Sequence, residues 1–321
     1  MFFSFHRLVC LGAVFSLVSV FCSCKKVDPL EDSIEYKHIN ICVLGNSYSN
    51  DSYCYVPFIL KKYGITCKIH IYYRGSLSLH DLDEQWEDAS AQSIADLDGA
   101  NHVRMHFSID TRTQDKWKKE DLISARDILK LERWDIISLQ QGGRRARYKD
   151  TYYPYLQNVI DRINEECPYS FSLAWFMAYN AARDNANVES LTTQHEIVEE
   201  FPFDVVFPVA ATVFSCQTHP VLSELGDSPY KRMYSSDNVH LQEGLPCYAA
   251  ALTIAQAIIQ MFFPEKSVIG DRIRPTDEWI KSIGGITPNG DSIGVTEDNC
   301  LLVQKAAVNA MNNHFDIIPL E

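Results

Sequence analysis

The sequence predicts an α/β protein in which a parallel sheet carries helices on both faces. Short apolar runs alternate about five times with segments whose apolar residues recur at helical spacing. The first run, INICVL, is almost continuously apolar, which is typical of a strand buried on both of its faces. No internal repeat or recognisable linker interrupts residues 38–321, so we interpret them as one domain.

The pattern of apolar residues predicts the individual strands and helices. Strands are predicted at residues 39–44, 66–73, 134–143, 169–178 and 203–210. Helices are predicted at residues 51–64, 119–132, 151–167, 187–200, 211–225, 243–263 and 296–314. The polar segment at residues 80–119 is harder to assign, and we expect an irregular helix there, followed by a hairpin. Such sheets bind ligands at the carboxyl ends of their strands, so we expect the chemistry in the loops that follow them.

Residues 1–24 have the features of an export signal and are left out of the fold. A continuous apolar run at residues 8–21 is too short to span a membrane comfortably. Ser23 and Cys24 then resemble the end of a bacterial lipoprotein signal, in which a small residue precedes the acceptor cysteine. The resemblance implies an exported protein, periplasmic or on the cell surface, that is anchored to a membrane through acylated Cys24, with residues 25–37 as a polar stem. The alternative is plain secretion with cleavage nearby.

Composition excludes some classes of partner and cofactor. The net charge is −13 and no long basic run occurs, which argues against nucleic acid because phosphate binding needs clustered lysine and arginine. No CxxC pair follows Cys24, and no cysteine and histidine spacing indicates a zinc site. We therefore expect neither a metal nor another cofactor. The oligomeric state does not follow from the sequence.

The stretch GNSYSNDS, residues 45–52, follows the first predicted strand directly. Its glycine, asparagine and serine suit an ordinary turn into a helix, because all three supply turn geometry or helix caps. They also suit a nucleophile elbow, in which Ser47 is held at a helix N-terminus above the edge of the sheet. The loop at residues 235–244 holds Asp237 and His240 three residues apart, which alone indicates no more than a surface turn. Together the two segments supply a nucleophile, a base and an orienting carboxylate.

The oxyanion of an acyl transfer needs hydrogen-bond donors, and other strand ends offer them. The backbone N–H groups of Ser47 and Gly75 are candidates, since Gly75 follows the second predicted strand and glycine allows close approach. The side-chain amide of Gln140 or Gln141, at the end of the third strand, is the candidate third donor. Gln141 is slightly preferred because it lies nearer the strand end.

These residues, in this order, resemble the SGNH or GDSL-like hydrolases. The resemblance covers most of the chain after the signal, and GNSYS, WDIISLQQ, DTYYPYL, AWFMA and the D-x-x-H loop narrow it to an uncharacterised branch found in bacterial exported proteins. It implies a flavodoxin-like three-layer α/β/α sandwich with a five-stranded parallel sheet. Two positions depart from the usual pattern: Asn46 replaces aspartate, and Gln140-Gln141 replaces glycine-x-asparagine.

The resemblance implies a metal-independent serine esterase that acts on small acyl esters, with O-acetyl groups on carbohydrates as the expected substrates. A fold does not fix a substrate, so this step rests on analogy. Two alternatives stay open. The first is a non-catalytic glycan-binding lipoprotein on the same scaffold, and the second is an O-acyltransferase that uses the same triad.

Overall fold

The computed structural model describes residues 37–89, 94–95, 101–181, 186–223, 233–270, 273–283, 286 and 292–321. The predicted signal with Cys24, and the predicted stem up to residue 36, lie outside the described residues. The strands are β1 (Lys37–Gly45), β2 (Ile65–Arg74), β3 (Ile94–Ala95), β4 (Asn101–His102), β5 (Arg104–Asp110), β6 (Lys118–Glu120), β7 (Ile136–Gln140), β8 (Ser172–Phe176), β9 (Val205–Phe207), β10 (Glu243–Gly244) and β11 (Ser292–Ile293).

A seven-stranded sheet, in the order β6-β5-β2-β1-β7-β8-β9, forms the centre of the described part of the chain. Strands β2, β1, β7, β8 and β9 run parallel to one another, which confirms the predicted α/β fold with a mostly parallel sheet. The prediction of five strands is corrected to seven, because β5 and β6 add an antiparallel hairpin to the edge at β2. That hairpin lies where one is expected, at the end of the polar segment, and β6 extends it to Glu120.

The helices are α1 (Ser47–Tyr53), α2 (Val56–Lys62), α3 (Leu79–Glu84), α4 (Ala125–Ile128), α5 (Tyr155–Glu166), α6 (Asn187–Glu200), α7 (Val209–Cys216), α8 (Pro220–Ser223), α9 (Leu245–Phe262), α10 (Asp277–Ser282) and α11 (Glu297–Asn312). Helices α1, α2, α7 and α11 pack on α9, whereas α3 packs on α5, an arrangement consistent with an α/β/α sandwich. Helix α9 is long and apolar enough to cross a membrane, but 83% of it is buried in the fold, as in a core helix.

The helix predicted at residues 211–225 is divided into α7 and α8. Two further predicted helices differ in the structure for local reasons. The first begins at Ser47 instead of residue 51, because the Asn46 side chain caps it by accepting a hydrogen bond from the N–H of Tyr48. It also breaks before α2, where Pro57 stands near the start of the new helix. The helix predicted at residues 119–132 shrinks to α4, since part of that segment pairs with β5 as strand β6.

The sheet order brings three strand ends together. Strand β1 ends at Gly45, β2 at Arg74 and β7 at Gln140, and these three strands are parallel neighbours with β1 in the middle. Their carboxyl ends therefore meet at one edge of the sheet. The turns that carry Ser47, Gly75 and Gln141 consequently lie side by side.

Candidate active site

Ser47 is the first residue of α1 and the one residue of that helix that is partly exposed instead of buried. Its N–H belongs to the first turn, where backbone donors have no acceptor within the helix. The preceding Asn46 is buried, and its side-chain oxygen accepts from the N–H of Tyr48 at 3.0 Å, so the turn into the helix is fixed. The serine hydroxyl is thus held by a rigid turn at the end of β1, with access to solvent.

Asp237 and His240 are in direct contact. Asp237 Oδ2 lies 2.5 Å from His240 Nδ1, and Oδ1 accepts from Ser235 Oγ at 2.6 Å. Oδ1 also accepts from the N–H groups of Val239 and His240, at 2.8 and 3.0 Å. Because a carboxylate accepts at Nδ1, that nitrogen carries the proton and Nε2 keeps its lone pair.

The charge of Asp237 is stabilised by these contacts. Partial burial opposes ionisation, but the hydrogen bonds from His240, Ser235 and two backbone N–H groups outweigh it and hold the pKa of Asp237 well below its usual range. Asp237 is therefore an anion at neutral pH. An anion at this place orients the imidazole and stabilises the imidazolium that forms when His240 accepts a proton.

The structure brings His240 next to the helix that carries Ser47. The centroids of the Tyr48 and His240 rings lie 6.3 Å apart. The N–H of Leu241 donates to Asp51 on α1 at 3.0 Å. Within the described residues the Ser47 hydroxyl makes no hydrogen bond, so the contact between Ser47 and His240 is not formed in this state. Catalytic hydrogen bonds of this kind are often loose in apo structures and tighten when substrate binds.

Gly75 lies in the turn that follows β2, and two side chains hold that turn. Asn46 Nδ2 donates to the carbonyl oxygen of Leu77 at 3.0 Å, and Gln141 Oε1 accepts from the N–H of Leu79 at 3.1 Å. Ser76 has a φ of 54°, in the left-handed region that costs a non-glycine residue energy. A turn that is anchored on both sides can maintain such a conformation, and it fixes the backbone around Gly75.

The two glutamines at the end of β7 differ in what their amides do. Gln141 is fully used within the protein, since its Oε1 also accepts from the N–H of Gly142 at 2.8 Å and its Nε2 donates to the Thr151 carbonyl at 3.0 Å. Gln140 accepts from Ser49 Oγ through Oε1, while its buried Nε2 has no hydrogen-bond partner in the described part of the chain. The free donor is thus on Gln140, and the slight preference for Gln141 does not fit the hydrogen bonds.

Gly45 and Gly143 pack so closely against side chains of this region that neither has room for a Cβ. A Cβ at Gly45 would lie 2.2 Å from Ser49 Oγ and 2.7 Å from Gln140 Oε1, so only glycine leaves room for that pair. A Cβ at Gly143 would lie 2.1 Å from Tyr48 Cε2. Tyr48, which directly follows Ser47, is therefore in close contact with the loop that follows β7.

Asp51 is a residue of this region that the sequence does not single out. It lies one turn after Ser47 on α1 and is fully buried, and burial, partly offset by the nearby His240 and a hydrogen bond from Tyr179, raises its pKa to about 7. Its spacing of four residues from Ser47 could have indicated that both side chains lie on one face of the helix. A polar residue near a helix N-terminus is, however, usually a surface residue, so that signal is weak.

Metal binding has no support among the residues that the structure describes. No three histidine, cysteine, aspartate or glutamate side chains there are grouped in a way that could hold an ion.

Comparison with solved structures shows the fold. The chain resembles a DUF4886 family protein from Bacteroides uniformis ATCC 8492, with a TM-score of 0.67 and 17% identity over 88% of this chain and 98% of that one. It also matches a Clostridium thermocellum family 3 carbohydrate esterase, with a TM-score of 0.43 and 13% identity over 70% of this chain and 97% of that one. No family model and no curated protein matches the sequence.

Proposed function

We propose that the protein is a serine esterase of the SGNH type, exported and anchored to a membrane through Cys24. One observation carries the enzymatic part of the proposal. The Asp237–His240 pair lies beside the helix that starts with Ser47, and Ser47 is partly exposed whereas the rest of that helix is buried. A nucleophile at a helix N-terminus and an oriented base with a free Nε2 are what acyl transfer from an ester requires.

In the proposed mechanism His240 Nε2 accepts the proton of Ser47 Oγ as Oγ attacks the ester carbonyl carbon. The carbonyl oxygen takes the electron pair of the broken π bond and becomes the oxyanion. The alcohol then leaves with the proton from His240, and Ser47 keeps the acyl group. A water molecule, deprotonated by His240, attacks the acyl carbon. The bond from that carbon to Ser47 Oγ breaks, the free acid leaves, and His240 returns the proton to Oγ.

The proposed oxyanion donors are the N–H groups of Ser47 and Gly75 and the side-chain amide of Gln140. Gln140 takes the third place because its Nε2 is buried without a partner, and a buried donor without an acceptor is costly unless it serves a ligand. Gln141, by contrast, holds the turn that carries Gly75. The substrate class, small acyl esters and above all O-acetyl groups on carbohydrates, follows from the resemblance of the sequence motifs.

Hydrolysis of p-nitrophenyl acetate and of a panel of acetylated sugars tests the proposal. The full chain, purified in mild detergent, is compared with Ser47→Ala and His240→Ala, and with Ser236→Ala, an exposed serine of the same loop, as matched control. We expect activity to disappear in the first two variants and to persist in the third, with circular dichroism unchanged in all. A folded wild type without activity, or activity indifferent to Ser47→Ala, contradicts the proposal and favours a glycan-binding protein. Acyl transfer to an added sugar, in place of hydrolysis, favours the acyltransferase.

A further inference from the structure

Asp51 connects the two segments that carry the proposed nucleophile and base. Its Oδ2 accepts from the N–H of Leu241 at 3.0 Å and from the hydroxyl of Tyr179 at 2.7 Å. Leu241 directly follows His240, and Asp51 lies one turn after Ser47. One carboxylate oxygen thus joins helix α1 to the loop that presents the imidazole.

Stability alone does not account for an acid at this position. A fully buried carboxylate loses its hydration, and that loss is usually compensated by a cation or by several hydrogen bonds. No lysine or arginine among the described residues forms a salt bridge with Asp51, and Oδ1 has no hydrogen-bond partner there. An asparagine oxygen could accept the same two hydrogen bonds without the cost of burying a charge. The negative charge therefore has a role other than stabilising the fold.

We infer that Asp51 is a positioning residue of the proposed esterase, holding the His240 loop against α1 and adding negative charge that stabilises the imidazolium during the reaction. This inference rests on the proposed function. The positive charge on His240 appears only when it takes the proton of Ser47, so a nearby fixed anion favours the transition state over the ground state. The anion acts through His240 and does not touch the reacting atoms.

The surroundings of Asp51 set the pH range in which this charge is present. Burial raises the pKa of Asp51 to about 7, and the nearby His240 and the hydrogen bond from Tyr179 limit the rise. Its charge is accordingly low on the acid side of neutrality and complete on the alkaline side. The ionisable groups that face it come from every neighbouring segment: His240 and Asp237 on the loop, Tyr179 after β8, Tyr73 on β2, Cys54 after α1 and Cys247 on α9.

The pH dependence of kcat/KM in Asp51→Asn tests the role of the charge. Asparagine mimics protonated Asp51, so we expect the ratio of wild-type to variant kcat/KM to be near one at acid pH and to rise to about tenfold at alkaline pH. Asp135→Asn, which removes an exposed carboxylate at the start of β7, is the matched control and should give a flat ratio. A flat ratio for Asp51→Asn, in an enzyme that Ser47→Ala inactivates, overturns the inference and leaves the proposed function intact.

Amide hydrogen exchange at Leu241 tests the positioning without any need for activity. Asp51→Ala removes the acceptor, so we expect Leu241 to exchange at least about tenfold faster, whereas Asp51→Asn should restore slow exchange. Amides in the middle of β8 report global stability, so the rate at Leu241 is compared with theirs in each variant at the same pH. Equal exchange at Leu241 in wild type and Asp51→Ala overturns the positioning role. If the wild type hydrolyses no ester, the proposed function and the inference about the charge both fail, and the exchange result alone decides whether Asp51 holds the loop.

Discussion

Asn46 Nδ2 donates a hydrogen bond to the carbonyl oxygen of Leu77 at 3.0 Å, so the turn before Ser47 is tied to the turn that contains Gly75. The same side chain caps α1 through its oxygen. Aspartate, the usual residue at this place in the SGNH pattern that the sequence resembles, could cap the helix equally well but has no N–H group to donate. The asparagine is therefore explained by a second contact that aspartate could not make.

Asn46→Asp tests that explanation. We expect the free energy of unfolding to fall by about 1–3 kcal/mol, because a carboxylate oxygen would face the buried Leu77 carbonyl without a donor between them. We also expect kcat to fall, since the turn that carries Gly75 loses its anchor. Urea unfolding and ester hydrolysis measure the two effects. Asn40→Asp removes a similar amide-to-carbonyl bond at the far end of β1 and should leave kcat unchanged. Unaltered stability in Asn46→Asp would contradict the explanation.

Gln140→Glu removes the proposed oxyanion donor, the Nε2 amide, but keeps the oxygen that accepts from Ser49. A carboxylate still accepts from Ser49 Oγ but cannot donate to an oxyanion, so kcat should fall about 100- to 1,000-fold while KM changes little. Steady-state kinetics of ester hydrolysis measure both constants. Gln157→Glu, an exposed position on α5, controls for the added charge. A kcat close to that of the wild type would remove Gln140 from the mechanism.

Gly143→Ala should damage both stability and activity. The new Cβ would lie 2.1 Å from Tyr48 Cε2 and 2.8 Å from the Tyr179 carbonyl oxygen, and the second atom is backbone that cannot rotate away. Overpacking of this kind typically costs about 1–3 kcal/mol. Thermal unfolding and kcat are measured together. Gly294→Ala, where the added Cβ meets no atom within 4 Å, is the control and should leave both values unchanged. A Gly143→Ala protein that matches the wild type in both would show that Tyr48 is free to move.

The pH dependence of stability should distinguish Asp51→Asn from the wild type. Burial raises the pKa of Asp51 from 3.8 to about 7, so between these values the native state binds more protons than the unfolded state. The stability that this group contributes is complete below about pH 4 and is lost as the pH rises through 7, with a slope of at most about 1.4 kcal/mol per pH unit. Asparagine does not titrate, so the wild type should lose stability relative to Asp51→Asn over that range. Urea unfolding at several pH values measures the difference, and two parallel curves would refute the raised pKa.

The sequence allows the ends of β1, β2 and β7 to be predicted, because each of these apolar runs stops at a glycine or a polar residue. Gly45 and the glycines after Gln141 are visible as such stops, and parallel strands place their ends at one edge. The hairpin of β5 and β6 is expected from the sequence, but the bounds of β6 are not, because it consists of charged residues, which carry no strand signal. Strand β6 is defined instead by its pairing with β5, which runs from His106 opposite Glu120 to Ser108 opposite Lys118.

Which of Gln140 and Gln141 has a free amide donor could not be predicted from the sequence. Adjacent residues at a strand end point in opposite directions, and the sequence does not say which direction faces the nucleophile. The decision depends on partners that are distant in the chain, Ser49 for one side chain and Thr151 for the other. Asp51 illustrates the same difficulty, since its burial depends on a loop 190 residues further along the chain.

The charged strand β6 has a consequence for how the protein behaves at high concentration. Its residues Lys118, Lys119 and Glu120 are all exposed, and the strand is only three residues long. An outermost strand presents unpaired N–H and C=O groups to which another chain could add. Short length and like-charged lysines make such an addition unfavourable, so this margin of the sheet resists aggregation.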